Sequence, residues 1–274
     1  MPVNNSNVPR SQPVLLFFAA IVAITMTFGV VALLRTPGTG KRKSPPLLVH
    51  VAASLKTPME QIAADYLGET GTRVELSFGG SQTLLANIQI THHGDLYLPA
   101  DDSYLTLARE KKLIKETFPL AEQTAVLAVA KGNPKHIRAL ADFRDSPFTL
   151  SQANPDTAAI GKLVRAATEA NGLWTALSNR TVVFKPTVTD AANDVKLGAV
   201  DAAFVWDSMA RQYPDLEFIR LSELENVRAK VAVGVLNCSK QHDAAFAFAR
   251  FIAAPEKGLK RFQQNGFVLQ PAQP

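Results

Sequence analysis

The chain is 274 residues long, 47% hydrophobic and 19% charged, which is enough apolar material for one large or two smaller buried cores and excludes wholesale disorder. Its net charge of +5 is concentrated at the N-terminus: residues 1–43 hold five Lys/Arg and no Asp/Glu, so 24 of the 29 basic residues remain to face 24 acidic ones. A neutral body lacks the electrostatic footprint of phosphate-backbone binding and excludes nucleic acid as an expected partner, and a single cysteine, Cys238, excludes an intrachain disulfide framework.

Residues 14–34 form an uncharged apolar run of 21, bounded by Arg10 and Arg35. At ~1.5 Å per residue it spans a hydrocarbon core of ~30 Å. Secretory apolar regions are shorter, about 7 to 15 residues, and no small-x-small cleavage site precedes Arg35, so an uncleaved membrane anchor is expected, with a cleaved signal as the alternative. Arg35, Lys41, Arg42 and Lys43 follow the run and only Arg10 precedes it; that local bias points the body inward, a rule that long translocated domains override. The basic cluster suits anionic headgroups. The single cysteine, Cys238, lies far from the run, so no lipoprotein-type cysteine follows it to carry a lipid. The stretch TPGTGKRKSPP at 36–46 has the composition of a linker, so residues 1–46 read as anchor or signal plus linker.

From Leu47, β-rich runs alternate with segments of helical period: LLVHVA at 47–52, a helix from Pro58, VELSF at 74–78, a helix after Ser81, and DLYLPA at 95–100. This βαβαβ order predicts a parallel α/β fold. Thr57, Pro58 and Glu60 read as a capping box with proline at the first helical position, and Met59, Ile62, Ala63, Tyr66 and Leu67 as its buried stripe. A second set follows: TAVLAVA at 124–130, FTLSQA at 148–153, a helix opened by Asn154-Pro155 and ended by Asn171-Gly172, VVFK at 182–185, a short helix capped by Thr189, and AAFVW at 202–206, after which Asp207-Ser208 offers another cap. KVAVGVL at 230–236 leads to two C-terminal helices, the second opened by Pro255 and stopped at Asn265-Gly266. Residues 47–270 exceed the usual single-sheet size, which suggests two lobes with a cleft between them.

Two strand-to-helix turns present a serine: Ala52-Ala53-Ser54-Leu55, and Gly79-Gly80-Ser81-Gln82. The free N–H groups and positive dipole of a helix start attract anions, a hydroxyl adds a donor, and the glycines allow close backbone approach. The bland reading of Ser81 is a plain N-cap; Ser54 is not needed as one if Thr57 caps that helix.

These residues carry a family resemblance. AASLKTPMEQIAADYLGETGTRVELSFGGSQTLLANIQ and GDLYLPADDSYLTLA, then NPDTAAIGKLVRAA, VTDAANDVKLGAVDAAFVW and AFAFARFIAAPEKGLKRFQQNGF, resemble in order and spacing the periplasmic molybdate-binding proteins of ABC importers, over about residues 47–270. The resemblance implies an α/β, two-lobed type II periplasmic-binding fold with a hinge cleft, preceded here by the N-terminal transmembrane helix. One lobe would comprise 47–125 and 230–274 and the other 126–229. It implies an extracytoplasmic monomer, tethered to the inner membrane, that captures molybdate or tungstate for an ABC permease and ATPase, with no enzyme activity and no cofactor. By position, the family's two ligand serines correspond to Ser54 and Ser81, its amide donors to Ile160 and Val188, and its tyrosine to Trp206. Trp206 donates through an indole N–H instead of a phenol, and NPDTAAIG lacks the family's proline before the amide-bearing residue. A different oxyanion such as sulfate, or a membrane-anchored oxyanion sensor on the same clamshell, are the alternatives.

Enzyme readings are poorly supported. Gly-Gly-Ser-Gln-Thr lacks the second glycine of a nucleophile elbow, and no order of serine, acid and histidine is recognisable. His92, His93 and Asp95, or Asp101-Asp102, lack metal-ligand spacing and read as loop polarity and helix caps. Cys238 reads as a small core residue and Trp174 as packing in the second lobe.

Overall fold

The computed structural model describes residues 45–270. The expected membrane segment at 14–34 lies outside them; among the described residues no helix is long and apolar enough to cross a membrane. Strand β1 (Leu47–Ala52) is followed by a 3₁₀ turn (Ala53–Leu55), helix α1 (Lys56–Thr70), β2 (Val74–Gly79), α2 (Ser81–Thr91), β3 (Leu96–Leu98) and α3 (Ser103–Glu110). After β4 (Ile114–Ala130) come α4 (Asp142–Asp145), β5 (Leu150–Ala153), α5 (Ala159–Ala170), α6 (Trp174–Arg180), β6 (Thr181–Lys185), α7 (Val188–Lys196), β7 (Ala202–Trp206) and β8 (Leu216–Ile219). The chain closes with β9 (Arg228–Leu236), α8 (His242–Ile252), a π turn (Pro255–Leu259), α9 (Lys260–Gln264) and β10 (Val268–Leu269).

The strands run in the order β2-β1-β3-β9-β4-β7-β5-β6, with β8 and β10 also pairing β4. Strand β4, 17 residues long, belongs to both halves. Its first part, up to Thr124, pairs antiparallel with β9, and Ala125–Val129 pair antiparallel with β7, so Ala125 registers with Trp206. Further out in each half the pairing is parallel: β1 with β2 and β3, and β5 with β6 and β7. Parallel strands covered by helices read as near-continuous apolar runs, which is how LLVHVA and AAFVW look, and both are almost wholly buried. The result is a two-lobed mixed α/β fold in which the carboxyl ends of two parallel strand sets face each other.

Several local expectations are corrected. Helix α1 begins at Lys56 with Leu55 as N-cap and no side-chain cap, so Thr57 and Pro58 lie inside its first turn and the capping box does not form; Lys56 and Glu60 pair at 3.7 Å instead. Pro58 joins Met59, Ile62 and Tyr66 in the buried stripe, whereas Leu67 is 45% exposed, because the helix ends against solvent rather than sheet. Helix α7 is capped by Thr187, whose Oγ1 accepts from Asp190 N–H (3.2 Å), and Thr189 is its second residue. Asn154-Pro155 forms a turn, Asn154 Oδ1 accepting from Asp156 N–H (2.9 Å), and α5 starts only at Ala159. Asp207 caps no helix; its Oδ1 accepts from Thr124 N–H (2.9 Å) and ties β7 to the crossover.

Candidate functional site

The five residues singled out from sequence, Ser54, Ser81, Ile160, Val188 and Trp206, all line one tight cavity of about 10 Å³, room for about one water. It lies at the carboxyl ends of β1, β2, β5, β6 and β7, where open α/β sheets present their ligands. Four of these strands, β1, β2, β5 and β6, hand over to a helical start there: the 3₁₀ turn at Ala53, α2 at Ser81, α5 at Ala159 and α7 at Val188. A helix's first turn has N–H groups with no acceptor one turn back, and its dipole is positive at that end, so four helical starts converging on one space make it electropositive without a charged side chain. The lining is Ala, Ser, Gly, Ile, Thr, Val and Trp, neutral throughout.

Both serine side chains are buried, each with 1% exposure. Ser81 is the first residue of α2; the N-cap is Gly80, and Ser81 Oγ makes no cap bond but accepts from Ala100 N–H (3.1 Å). With that lone pair used, the hydroxyl proton is left to donate elsewhere. Tyr97 Oη donates to the Ser81 carbonyl (2.7 Å), fixing the turn from beneath. Ser54 Oγ is buried with no hydrogen-bond partner among the described residues. An orphaned buried hydroxyl costs about 1–3 kcal/mol, so a group held in that state at a cavity wall points to a ligand acceptor. Trp206, fully buried, closes the opposite side.

The two lobes touch around this cavity. Gln82 N–H donates to Thr157 O (3.0 Å), and Gly80 packs so tightly on the facing lobe that a Cβ would lie 2.4 Å from Thr157 O and 2.9 Å from Pro186 O. The close approach that the glycine allows is thus to the other lobe's carbonyls. A further contact joins α5 to α3: Lys162 donates to Ser103 Oγ (3.2 Å) and lies 5.0 Å from the centre of the Tyr104 ring. Burial pushes the Tyr104 phenol up to about 12, so the ring stays neutral beneath the ammonium. Asp101 accepts from Ser103 N–H (3.1 Å) and Oγ–H, which orients the hydroxyl that Lys162 meets.

No histidine or carboxylate lines the cavity, so neither serine has a base. Among the described residues no cluster of three or more His, Cys, Asp or Glu gathers as a metal site. Asp95 instead accepts from Leu48 N–H (2.8 Å) and Ser239 Oγ–H (2.5 Å). His50, in mid β1, donates from Nε2 to His93 O (2.9 Å); its Nδ1 is buried without a partner, and burial holds the imidazole below its ordinary value. Cys238 is half-buried and burial pushes its thiol up, which disfavours a nucleophile. Trp174 opens α6 and packs on Phe184 (6.2 Å). A larger open depression near α1 and α9 is bridged by its own ion pairs, Arg261 with Asp65 (2.7 Å) and Lys257 with Glu69, which leaves no charge there seeking a partner.

Sequence reasoning missed Ala100 and Thr187, which line the cavity, and Gln123 behind Ala100. They act through backbone or buried contacts that no local motif announces.

The chain is 28% identical over 225 residues to the molybdate-binding protein ModA of Mycobacterium tuberculosis, covering 81% of this chain and 84% of the relative. Its fold superposes on the periplasmic molybdate-binding protein of Azotobacter vinelandii with a TM-score of 0.71 at 20% identity, over 82% of this chain and 100% of that one. It superposes equally, at 0.71 and 14% identity, on the sulfate-binding protein SubI of Mycobacterium tuberculosis, over 81% of this chain and 86% of that one. These two superpositions establish the fold. The match that establishes more runs over residues 47–268, through both lobes and every turn that lines the cavity, and by it the chain belongs to the bacterial extracellular solute-binding protein family.

Proposed function

We propose that the protein captures a tetrahedral oxyanion, molybdate or tungstate, in the cavity between its lobes and delivers it to the permease and ATPase of an ABC importer. The observation that carries this reading is Ser54 Oγ, a buried hydroxyl without a partner at a neutral cavity fed by four helical starts. Such a site offers donors and no ionised group, which suits a fully deprotonated anion that only accepts. Ser54 and Ser81 would donate through their hydroxyls, Ile160 and Val188 through their amides, and Trp206 through its indole N–H. The molybdate-binding relative at 28% identity supports the choice of ion. Hydrogen bonds to a charged partner are worth ~1.5–3 kcal/mol each, so several neutral donors can hold a dianion without arginine. Residues 14–34 would tether the body to the outer face of the inner membrane, beside the permease.

Thermal unfolding with each of four anions tests the reading. A ligand at about 100 times its Kd adds ~2.7 kcal/mol of stability. Molybdate and tungstate should raise Tm strongly and sulfate less, being smaller; phosphate should do least, because its proton meets no carboxylate acceptor in the lining. An unchanged Tm with all four anions rejects the proposal.

A further inference from the structure

Ser81 is held by a chain of buried hydrogen bonds that begins in the other lobe. Its Oγ accepts from Ala100 N–H (3.1 Å); the Ala100 carbonyl accepts from Gln123 Nε2 (3.0 Å); Gln123 Oε1 accepts from Ser208 Oγ–H (2.9 Å). Ser81 and Gln123 are each 1% exposed and Ser208 is fully buried. Geometry forces every direction in this chain. A carbonyl only accepts, so the Gln123 NH₂ must face Ala100; the amide oxygen then faces Ser208, whose hydroxyl must donate. The Ala100 N–H occupies a lone pair of Ser81, and the last free proton of the series is the Ser81 hydroxyl hydrogen. The donors therefore all point one way, from the second lobe toward the cavity.

Gln123 stands where β4 leaves one sheet for the other. It pairs with Ala229 of β9, while Ala125, two residues on, pairs with Trp206 of β7. Continuing that antiparallel register places Gln123 opposite Ser208, two residues past Trp206, and Thr124 N–H holds the intervening Asp207 at 2.9 Å. One side chain thus joins the Ser81 turn to the 3₁₀ segment (Asp207–Gln212) that follows Trp206.

On the oxyanion reading above, we infer that Gln123 is a positioning residue for the ligand: through Ala100 it fixes Ser81 as a donor, and through Ser208 it ties that donor to the lobe bearing Trp206. It touches no ligand itself.

A double-mutant cycle separates this role from general loosening of the fold. Molybdate affinity is measured for the wild type, Gln123→Met, Ser81→Ala, Ser54→Ala, and Gln123→Met combined with each serine variant. Residues sharing a hydrogen-bond network couple, so Gln123→Met should weaken binding roughly five- to tenfold alone and in the Ser54→Ala background, but less than about twofold in the Ser81→Ala background. The same factor in all three backgrounds would make Gln123 merely structural and overturn the inference, with the wild-type binding still upholding the oxyanion site. No wild-type binding overturns both. Should Gln123→Met fail to fold, Ser208→Ala removes only the far donor; a smaller loss that again vanishes with Ser81→Ala supports the inference, and one that persists there contradicts it.

Discussion

The two cavity serines resemble each other in sequence and differ in what their hydroxyls do. Ser54 Oγ has no partner among the described residues, whereas Ser81 Oγ satisfies Ala100 N–H. Removing each should therefore weaken oxyanion binding by about tenfold to a hundredfold, as loss of a hydrogen bond to a charged group does, yet shift the ligand-free stability in opposite senses. Ser54→Ala deletes an orphan and should leave urea stability unchanged or raise it by up to ~1 kcal/mol; Ser81→Ala strands a buried amide and should lower it by ~1–3 kcal/mol. Paired calorimetric and urea titrations check both halves. At this scale the sequence was most informative where chemistry is local: a serine in a strand-to-helix turn can be read by eye. It was silent on Ala100 and Gln123, whose roles exist only because β3 and β4 pass beside α2 in space.

Helix starts organise the site, and they are also where sequence reasoning erred. The strand runs at 47–52 and 202–206 match the observed bounds, because buried parallel strands write continuous apolar runs. The caps do not match. Thr57 and Thr189 look like caps, but both lie inside their helices, since the burial of Ser54-Leu55 and of Val188 begins each helix earlier than its local signals suggest. The first ten residues of β4 also went unread, because only four of them are fully buried and Pro119 interrupts the pattern. Closure depends on Gly80, which meets two carbonyls of the facing lobe. Gly80→Ala should hold the lobes apart, lowering affinity by more than either serine variant. Small-angle scattering should then show no compaction on adding ligand where the wild type compacts; equal compaction in both would refute the closure contact.

The whole body is neutral, and its binding cavity contains no ionisable side chain. Binding should accordingly stay flat with pH wherever the anion itself does not titrate. Stability should not. Burial lowers the folded-state value of His50 below its ordinary 6.5, so the unfolded chain takes up the proton first. The stability that depends on a neutral His50 is complete above about pH 6.5 and is lost as pH falls toward and through the folded value, because the new proton would sit on a buried Nδ1 with no acceptor. Burial is the dominant cause; the hydrogen bond to His93 O and the Asp95 charge raise the value, and the His93 charge lowers it. His50→Gln, which can still donate to His93 O, should flatten the acid limb of a Tm-versus-pH curve; an unchanged limb would place the acid sensitivity elsewhere. The central question is whether the space between the lobes holds an oxyanion on Ser54 and Ser81. Calorimetric titration of molybdate into the wild-type protein and into the Ser54→Ala/Ser81→Ala double variant answers it. One ion per chain bound by the wild type, with heat lost in the double variant, is the expected result; no heat with the wild type, or undiminished binding without both hydroxyls, would contradict it.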